Sequence, residues 1–285
     1  MQRRTAWYLA GALVLVVLNM VILVAVLQKH EPVLSVSFLN VGQGDSILIQ
    51  SPTGTTLLID GGPDRSVLRE LSKKLLPWDR TIDVVVETHP DKDHIAGLGD
   101  VLERYRVKSY LDPGVPDQTS VSSHVMEAVG REQGLVQTIA RRGMRLHLGG
   151  GAYADVLFPD RDESTQTETN DASVSLHVVY GNTSFMLTGD LPSTLEDHLV
   201  ALDGNALKST VLKAGHHGSK FSTDSIWLHA VDPDVVVISA GKRNTYGHPS
   251  PEAVERIRAS GARMVSTIDS GTITFVSDGA QVRQK

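Results

Sequence analysis

Residues 83–94 read Asp83-Val84-Val85-Val86-Glu87-Thr88 followed by His89-Pro90-Asp91-Lys92-Asp93-His94. The first half is an apolar run typical of a buried strand, and Gly97-Leu98 indicates the start of a helix soon after it. The second half crowds two histidines and two aspartates into six positions, which is unfavourable unless a cation offsets the crowding. We therefore expect a metal site, typical of a metal-dependent hydrolase, on a strand-to-helix loop where rigid elements hold the ligands.

The composition of the chain limits its chemistry. It has 285 residues, of which 41% are hydrophobic, enough for one large or two small globular domains. Its net charge of −6 gives no general attraction for a polyanion, so nucleic-acid binding would depend on local patches or metal ions. The absence of cysteine excludes disulfides and thiolate ligands. A metal site must use His, Asp, Glu or Asn, which suit zinc, manganese or iron.

The first thirty residues differ in composition from the rest. Gln2-Arg3-Arg4 precedes an apolar run from Ala6 to Leu27 that is interrupted at Asn19. As a helix this run would measure about 33 Å, enough to cross the hydrocarbon core of a bilayer. The positive charges before it predict a cytoplasmic amino terminus and an exported remainder. We expect residues 1–30 to be a retained membrane anchor and linker, because the run exceeds a signal-peptide core and no clear cleavage site ends it.

The remaining residues alternate between short strands and helices. Strands are predicted at 33–39, 46–50, 55–59, 83–88, 107–111, 135–148, 153–158, 173–180, 183–188, 211–213, 235–239, 263–267 and 271–276. Helices are predicted at 64–76, 122–133, 192–202, 222–230 and 250–260. Tight turns are indicated at 42–45 and 181–182, and 159–170 reads as a polar loop. The pattern predicts an α/β fold of two mixed sheets in one domain, residues 31–285.

Further candidate ligands follow other predicted strands. They are Asp60, Asp190, the adjacent pair His216 and His217, and His248. Most of their loops contain glycine, which lets backbone approach a ligand closely. We expect these distant segments to converge on one pair of cations.

Together these motifs resemble the metallo-β-lactamase superfamily. Its His-x-His-x-Asp-His motif corresponds to residues 89–94, with Asp91 in place of the second histidine. This variant resembles the hydrolase domain of ComEC-type DNA-uptake proteins. Four further motifs carry the same resemblance: Val41-Gly42-Gln43-Gly44-Asp45-Ser46, Thr188-Gly189-Asp190, His216-His217-Gly218-Ser219 and Tyr246-Gly247-His248-Pro249. The resemblance covers residues 33–280 and excludes the multi-span channel of full ComEC proteins, so it implies hydrolase chemistry rather than transport.

The resemblance implies a four-layer αβ/βα sandwich, preceded here by one transmembrane helix, with a dinuclear metal site at one edge between two sheets. The cofactors would be two divalent ions, zinc or manganese. The first ion would be bound by His89 and Asp91, with Asp190 bridging to the second. The implied ligands of the second ion are Asp93, His94 and His216.

The first ion lacks one ligand that the superfamily usually supplies from the loop before Asp190. No histidine stands there, and His177 lies inside a predicted strand. The alternatives at that position are Asn170, Asp171 and Ser173. An extra carboxylate and fewer imidazoles shift the preference from zinc towards manganese.

The same resemblance gives roles to neighbouring residues. The catalytic residues would be Asp93, which orients the attacking hydroxide, and His217 and His248, which contact the phosphate or protonate the leaving oxygen. Substrate binding would involve Gln43, Asp45, Lys220 and Tyr246. Asp60 would brace the His/Asp loop by hydrogen bonds rather than bind metal. Two alternatives stay open: His217 hydrogen-bonds its own loop, and His248 is a structural cap.

The expected function is that of a membrane-anchored, extracytoplasmic phosphodiesterase that cleaves DNA with a metal-bound hydroxide. Two ions about 3.5–4 Å apart would lower the pKa of a bound water to about 7 and polarise a phosphoryl oxygen. A hydrolase of another ester, such as a lactone, thioester or choline phosphodiester, is one alternative. A non-catalytic subunit of a DNA-uptake machine is another, although the pair Asp93 and His94 favours an enzyme because a binding subunit needs no water-activating group.

Overall fold

The computed structural model describes residues 2–27, 32–116, 119–242 and 244–285, and of residues 2–6 and 22–27 it describes the backbone alone. These residues form two compact units, one up to Pro32 and one from Val33 to Lys285. The helices are α1 (Gln2–Leu27), α2 (Ser66–Lys74), α3 (Lys92–Arg104), α4 (Ser120–Arg131), α5 (Ser193–Asp203), α6 (Ser225–Val231), α7 (Pro251–Ala259) and α8 (Thr267–Ser270).

The strands of the second unit are short, as the sequence pattern predicts. They are β1 (Leu34–Phe38), β2 (Ile47–Gln50), β3 (Thr56–Ile59), β4 (Thr81–Val86), β5 (Arg106–Asp112), β6 (Val136–Ile139), β7 (Arg145–Gly149), β8 (Ala152–Phe158), β9 (Ser175–Tyr180), β10 (Thr183–Leu187), β11 (Val211–Lys213), β12 (Val235–Ile238), β13 (Arg263–Ser266), β14 (Ile273–Ser277) and β15 (Val282–Gln284).

The first unit is helix α1. Its apolar side chains from Trp7 to Val21 are exposed. Among the described residues, no helix combines the length and apolarity that crossing a membrane requires. The expected anchor and linker span residues 1–30, and of these residues 1 and 28–30 lie outside the described part of the chain.

Over the described residues of the second unit, the strands form two mixed sheets. The first has eight strands in the order β15-β14-β1-β2-β3-β4-β5-β6, and the second has seven in the order β13-β12-β11-β10-β9-β8-β7. In the first sheet β3 to β6 run parallel, and in the second β10 to β13 do. Parallel neighbours need crossovers, which helices α2 to α4 and α5 to α7 supply in turn.

Three apolar clusters show how these elements stack. One lies between the sheets and joins Val36 and Ile49 of the first to Val178 and Val237 of the second. Another packs α2, α3 and α4 on the outer face of the first sheet, and the third packs α5, α6 and α7 on the outer face of the second. Two mixed sheets flanked by helices are therefore confirmed, in the order helix, sheet, sheet, helix.

Three local features differ from the sequence predictions, and one of them is that the single strand predicted at 135–148 is two strands, β6 and β7. Helix α3 begins at Lys92 rather than near Gly97, so Asp93 and His94 lie in its first turn and not on the preceding loop. Strand β15 was not predicted, because its three residues are mostly exposed and carry no apolar alternation.

Candidate metal centre

The candidate ligands lie where parallel strands of both sheets end. Asp60 follows β3, His89 follows β4, Asp190 follows β10, and His217 follows β11. The carboxyl ends of parallel strands are the usual place for ligands in α/β folds, because the crossover helices leave a crevice there. The sandwich thus brings residues that are far apart in sequence to one edge.

The remaining ligands come from the start of α3. Asp91 occupies the position before the helix, with extended φ/ψ angles of −68° and 142°. Its carbonyl accepts a hydrogen bond from the His94 backbone N–H at 2.9 Å. Asp93 is in the first turn, where the helix dipole favours a carboxylate.

Asp60 orients the imidazole of His94. His94 Nδ1 lies 2.7 Å from Asp60 Oδ2, and both side chains are fully buried. The same carboxylate accepts the Thr88 backbone N–H at 2.8 Å and the Thr88 hydroxyl at 2.7 Å. A carboxylate on Nδ1 leaves Nε2 directed at the centre, as is usual for histidine ligands of metals. The bracing contacts expected of Asp60 are therefore present.

His89 and His217 are held in the same way through Nδ1. His217 Nδ1 lies 2.9 Å from the carbonyl oxygen of Ser239. His89 Nδ1 lies 3.0 Å from the hydroxyl of Thr88, whose own proton goes to Asp60. Three imidazoles thus present Nε2 rather than Nδ1 to the site.

Three ligand atoms lie close to one another, and an oxygen of Asp93 adjoins one of them. His94 Nε2 lies 3.2 Å from His217 Nε2, and Asp190 Oδ2 lies 3.3 Å from each of them. Asp93 Oδ2 lies 3.4 Å from His217 Nε2. A tetrahedral ion with bonds of about 2.0–2.1 Å needs ligand atoms about 3.3–3.4 Å apart. The residues therefore fit one divalent cation.

A second group of ligands adjoins the first. The His89 and His94 rings are 4.1 Å apart, and His89 Nε2 lies 3.8 Å from Asp91 Oδ2. Within the described residues His89 Nε2 is buried and has no hydrogen-bond partner. Thr169 donates to Asp91 Oδ1 at 2.5 Å, which fixes that carboxylate. The group of His89 and Asp91 therefore offers fewer ligand atoms already held in position than the first group does.

The structure places the alternatives for the missing ligand differently. Ser173 Oγ accepts the Asp190 backbone N–H at 3.2 Å and lies 3.4 Å from His89 Nδ1. It therefore contacts the backbone of Asp190 and the ring nitrogen of His89 that does not face the ion. Asn170 Oδ1 is buried without a hydrogen-bond partner among the described residues. His177 pairs in register with Met186 along β9, in the interior of the second sheet.

In the absence of a cation, protons would balance the buried carboxylates. Burial lowers the pKa of His94 and His217, but the charges and hydrogen bonds of Asp190 and of Asp60 or Asp45 together outweigh it, and both pKa values stand well above the usual range. Burial holds the pKa of His89 well below its usual value. Burial raises the pKa of Asp93, but the His217 hydrogen bond and the charges of His94 and His217 together lower it to about 2. A divalent ion would displace protons, so metal binding should weaken as pH falls.

Asp45 has a different place from the one expected. It is almost fully buried, pairs with Lys213 Nζ and lies 3.5 Å from His217 Nδ1. Asp45, His94, Asp190 and His217 can be grouped as one metal-competent cluster, but Asp45 faces the Nδ1 side of the imidazole, away from Nε2. The carboxylate expected to bind substrate is therefore not open to solvent in this structure, and it pairs with Lys213 instead.

The adjacent histidines differ. His217 is almost fully buried, whereas the His216 side chain is 29% exposed and its Nε2 lies 3.7 Å from Asp190 Oδ2. From His216 a row of rings leads outward: His248 at 5.4 Å, then Tyr246 at 6.0 Å in a parallel stack. The geometry favours His217 as the metal ligand and leaves His216 at the open side.

Two expected substrate contacts lie on the rim. Gln43 accepts the Gly241 backbone N–H at 3.2 Å and so joins the first turn to the 241–248 loop. Lys220 is exposed, with its ammonium group 5.0 Å from the ring of Phe221. Sequence reasoning missed Lys213, although a charged residue closing a buried strand directly before Ala214-Gly215 is a usable signal.

The family follows from the sequence as well as from this geometry. The profile of the metallo-beta-lactamase superfamily matches residues 39–242. The chain belongs to this superfamily, whose fold is that of metal-dependent hydrolases. The resemblance seen in the motifs is thus confirmed.

Two curated proteins share sequence similarity with this chain over most of its length. The chain is 30% identical over 257 residues to ComE operon protein 3 of Bacillus subtilis (strain 168), covering 84% of this chain and 32% of that protein. It is also 30% identical over 242 residues to Competence protein ComA of Neisseria gonorrhoeae, covering 85% and 32%. The chain spans about a third of the length of these relatives.

Solved structures share the fold. Igni18, a metallo hydrolase from Ignicoccus hospitalis, superposes with a TM-score of 0.54 at 16% identity, over 85% of this chain and 98% of that one. CmlA, a diiron β-hydroxylase from Streptomyces venezuelae, gives 0.54 at 15% identity, over 85% and 53%. Because a hydrolase and a hydroxylase share this fold, the fold alone does not define the reaction.

Proposed function

We propose that this chain is a phosphodiesterase that uses divalent metal ions to hydrolyse nucleic acid. The observation that carries the proposal is the mutual spacing of 3.2–3.3 Å among ligand atoms of His94, Asp190 and His217, with an Asp93 oxygen 3.4 Å from His217 Nε2. A binding platform needs no such arrangement. Buried imidazoles oriented through Nδ1 are costly to assemble unless they bind something.

His94, His217, Asp93 and Asp190 would hold one ion, and His89 with Asp91 would hold a second beside Asp190. Divalent ions bound there would supply an acidified water ligand and polarisation of a phosphoryl oxygen. Zinc and manganese both suit a site of imidazoles and carboxylates, and the carboxylate-rich second group favours manganese.

His216 and His248 face the open side and are suited to handle a proton at the leaving oxygen. Burial lowers the pKa of both imidazoles, so each is mostly neutral at pH 7. A phosphate bound beside them would raise these pKa values again, because a nearby negative charge stabilises the imidazolium. Substrate binding would thus favour the protonated form of His216 and His248, which can donate a proton to the leaving oxygen.

Nucleic acid is the proposed substrate for two reasons. The motifs resemble those of DNA-uptake hydrolase domains, and relatives are named as competence proteins. In addition, Tyr246 and Phe221 are each 65% exposed on the rim, and Lys220 lies against Phe221. Exposed aromatic rings with a nearby cation are the usual means of binding bases and phosphates without sequence preference.

We further propose that α1 anchors the chain in a membrane, with the catalytic unit outside the cytoplasm. Support comes from the apolar run of Ala6 to Leu27 in the sequence, the exposed apolar side chains described from Trp7 to Val21 and the positive charges of Arg3 and Arg4 before that run. Membrane fractionation followed by protease treatment of intact cells tests this. Release of the chain in soluble form, or protection of the second unit, would contradict it.

The activity test uses the full-length protein with DNA and with bis-p-nitrophenyl phosphate, each with Mn²⁺ or Zn²⁺. We expect turnover that falls by at least about 1,000-fold in Asp93→Ala and His94→Ala. Asp83→Asn is a matched control, because Asp83 bonds Thr56 at the opposite end of β4. Absence of turnover with every divalent ion would reject the proposal and favour a non-catalytic subunit. Turnover of lactones, thioesters or choline phosphodiesters alone would favour the other ester hydrolases.

A further inference from the structure

Lys213 is a lysine whose side chain is entirely buried between the two sheets. It ends β11 on the strand face that carries Val211 into the core between the sheets. Leu212, on the opposite face, packs beneath the helices of the second sheet. A buried ammonium group is unfavourable unless it is paired, so its partners should explain its presence.

Three partners surround the Lys213 ammonium group. It pairs with Asp45 Oδ2, lies 3.3 Å from Asp190 Oδ1 and donates to the carbonyl of Gly189 at 2.7 Å. These match the three N–H donors of an ammonium group. Asp45 precedes β2 of the first sheet and Asp190 follows β10 of the second, so one cation joins carboxylates from both sheets.

The two oxygens of Asp190 have different surroundings. Oδ1 faces Lys213, whereas Oδ2 lies 3.3 Å from Nε2 of both His94 and His217. A carboxylate held by one oxygen keeps the other in a fixed direction. Lys213 therefore acts on the metal-facing oxygen through the far side of the same group.

We propose that Lys213 is a permanent counter-cation of the metal centre. It neutralises carboxylate charge that would otherwise destabilise the chain before an ion binds. The proposal rests on the metal-binding part of the proposed function and is independent of the substrate.

Lys213→Met tests this in the full-length protein, by thermal unfolding with chelator and with Zn²⁺. We expect the midpoint with chelator to fall by roughly 10 °C, because two buried carboxylates lose their cation. Zn²⁺ restores positive charge, so the Zn²⁺-induced rise should exceed that of the wild type by about 5 °C or more. Leu212→Ala is the matched control: it should lower both midpoints equally, because its lost contacts are apolar. An equal Zn²⁺-induced rise in Lys213→Met and wild type would overturn the proposal.

A double substitution tests the charge balance without metal. Asp45→Asn added to Lys213→Met removes one of the two carboxylates that face the lysine in the wild type, and we expect it to recover about half of the lost midpoint. Failure of Asp45→Asn to recover any stability would also refute the role of Lys213. If Lys213→Met folds only with Zn²⁺, that dependence is the expected effect in its strongest form.

These outcomes separate the two proposals. A wild type that gains no stability from Zn²⁺ or Mn²⁺ would count against the metal site itself, while the chelator arm would still decide whether Lys213 balances Asp45. A wild type that binds metal but cleaves no phosphodiester would reject the substrate proposal alone.

Discussion

At the scale of single residues, the backbone decides which of two adjacent histidines enters the site. His216 and His217 have φ values of 47° and 56°, a left-handed conformation that is uncommon outside glycine. This turn sends His217 inward to the Ser239 carbonyl and leaves His216 at the open side. Strained backbone of this kind is often kept at functional sites.

We expect His217→Ala to weaken Zn²⁺ binding by more than about 100-fold, since one of three closely spaced ligand atoms is lost. His216→Ala should weaken it by less than about tenfold, because its Nε2 is 3.7 Å from Asp190 and outside that group. Competition with a chromophoric chelator measures both. A larger effect for His216→Ala would reverse the assignment.

The sequence predicted which residues lie together in this site better than it predicted the role of each one. Asp60, Asp93, His94 and Asp190 lie together as the motifs imply. The choice between His216 and His217 depends on φ angles and a carbonyl from another strand, which spacing along the chain does not contain. Lys213 was missed for a related reason, since its function depends on partners in two sheets.

At the scale of elements, the turn before β2 fits tightly against the start of α3. The Asp45 backbone N–H donates to the Asp93 carbonyl at 3.3 Å. Gly44 has φ +107°, and a Cβ on it would lie 1.9 Å from that carbonyl oxygen. The turn therefore lies so close to the ligand-bearing helix that no side chain fits between Gly44 and the Asp93 carbonyl.

We expect Gly44→Ala to destabilise the chain by more than about 3 kcal/mol and to weaken Zn²⁺ binding, because the methyl group must displace Asp93. Gly54→Ala is the control: Gly54 has φ +91° but open space around it, so its cost should be about 1–2 kcal/mol from backbone strain alone. Urea unfolding and Zn²⁺ titration give the two quantities. Equal losses in both variants would show that the contact with Asp93 is unimportant.

Helix α5 contains a buried acid that makes stability depend on pH. Burial raises the pKa of Glu196 to about 8, and its Oε2 accepts the Thr223 backbone N–H at 2.7 Å. Because the folded pKa exceeds the ordinary value of 4.5, the native state holds a proton that the unfolded state has released. This contribution is complete below pH 4.5 and is lost as pH rises towards 8.

Glu196→Gln should therefore flatten the pH profile. Between pH 5 and pH 7 we expect the wild type to lose roughly 3 kcal/mol relative to the variant, at about 1.4 kcal/mol per pH unit. Urea unfolding of both proteins at pH 5, 6 and 7 gives the difference directly. A constant difference across that range would mean that Glu196 is ionised in the folded chain.

Elements were predicted well where periodicity was strong. The alternation of strands and helices predicted two mixed sheets. The candidate ligands that follow the predicted strands indicated where the site would lie. Boundaries at the site were less predictable: α3 begins at Lys92, because Asp91 takes an extended conformation directly before it. The helix dipole and a bound ion both favour polar residues in the first turn of a helix. In sequence, such residues look like loop residues, so the start of the helix is hard to predict.

At the scale of the whole molecule, the site depends on both sheets staying together. The first sheet supplies Asp60 and His89, and the second supplies Asp190 and His217, with the apolar core between them. An ion bound by residues of both halves should act as a cross-link. Metal binding and folding are then linked, because the unfolded chain has no preformed site.

Chelation of metal should therefore lower the stability of the second unit as a whole. With free Zn²⁺ at about 1,000 times its dissociation constant, linkage contributes about 4 kcal/mol, which corresponds to a midpoint change of about 10 °C for a domain of this size. Calorimetry of the full chain with Zn²⁺ and with EDTA measures the change. His94→Ala should abolish most of it, and the change should shrink at low pH because protons on His94 and His217 compete with the ion. A midpoint that EDTA leaves unchanged at pH 7 would mean that the edge between the sheets is stable without a cation, and that the spacing of its ligands has another cause.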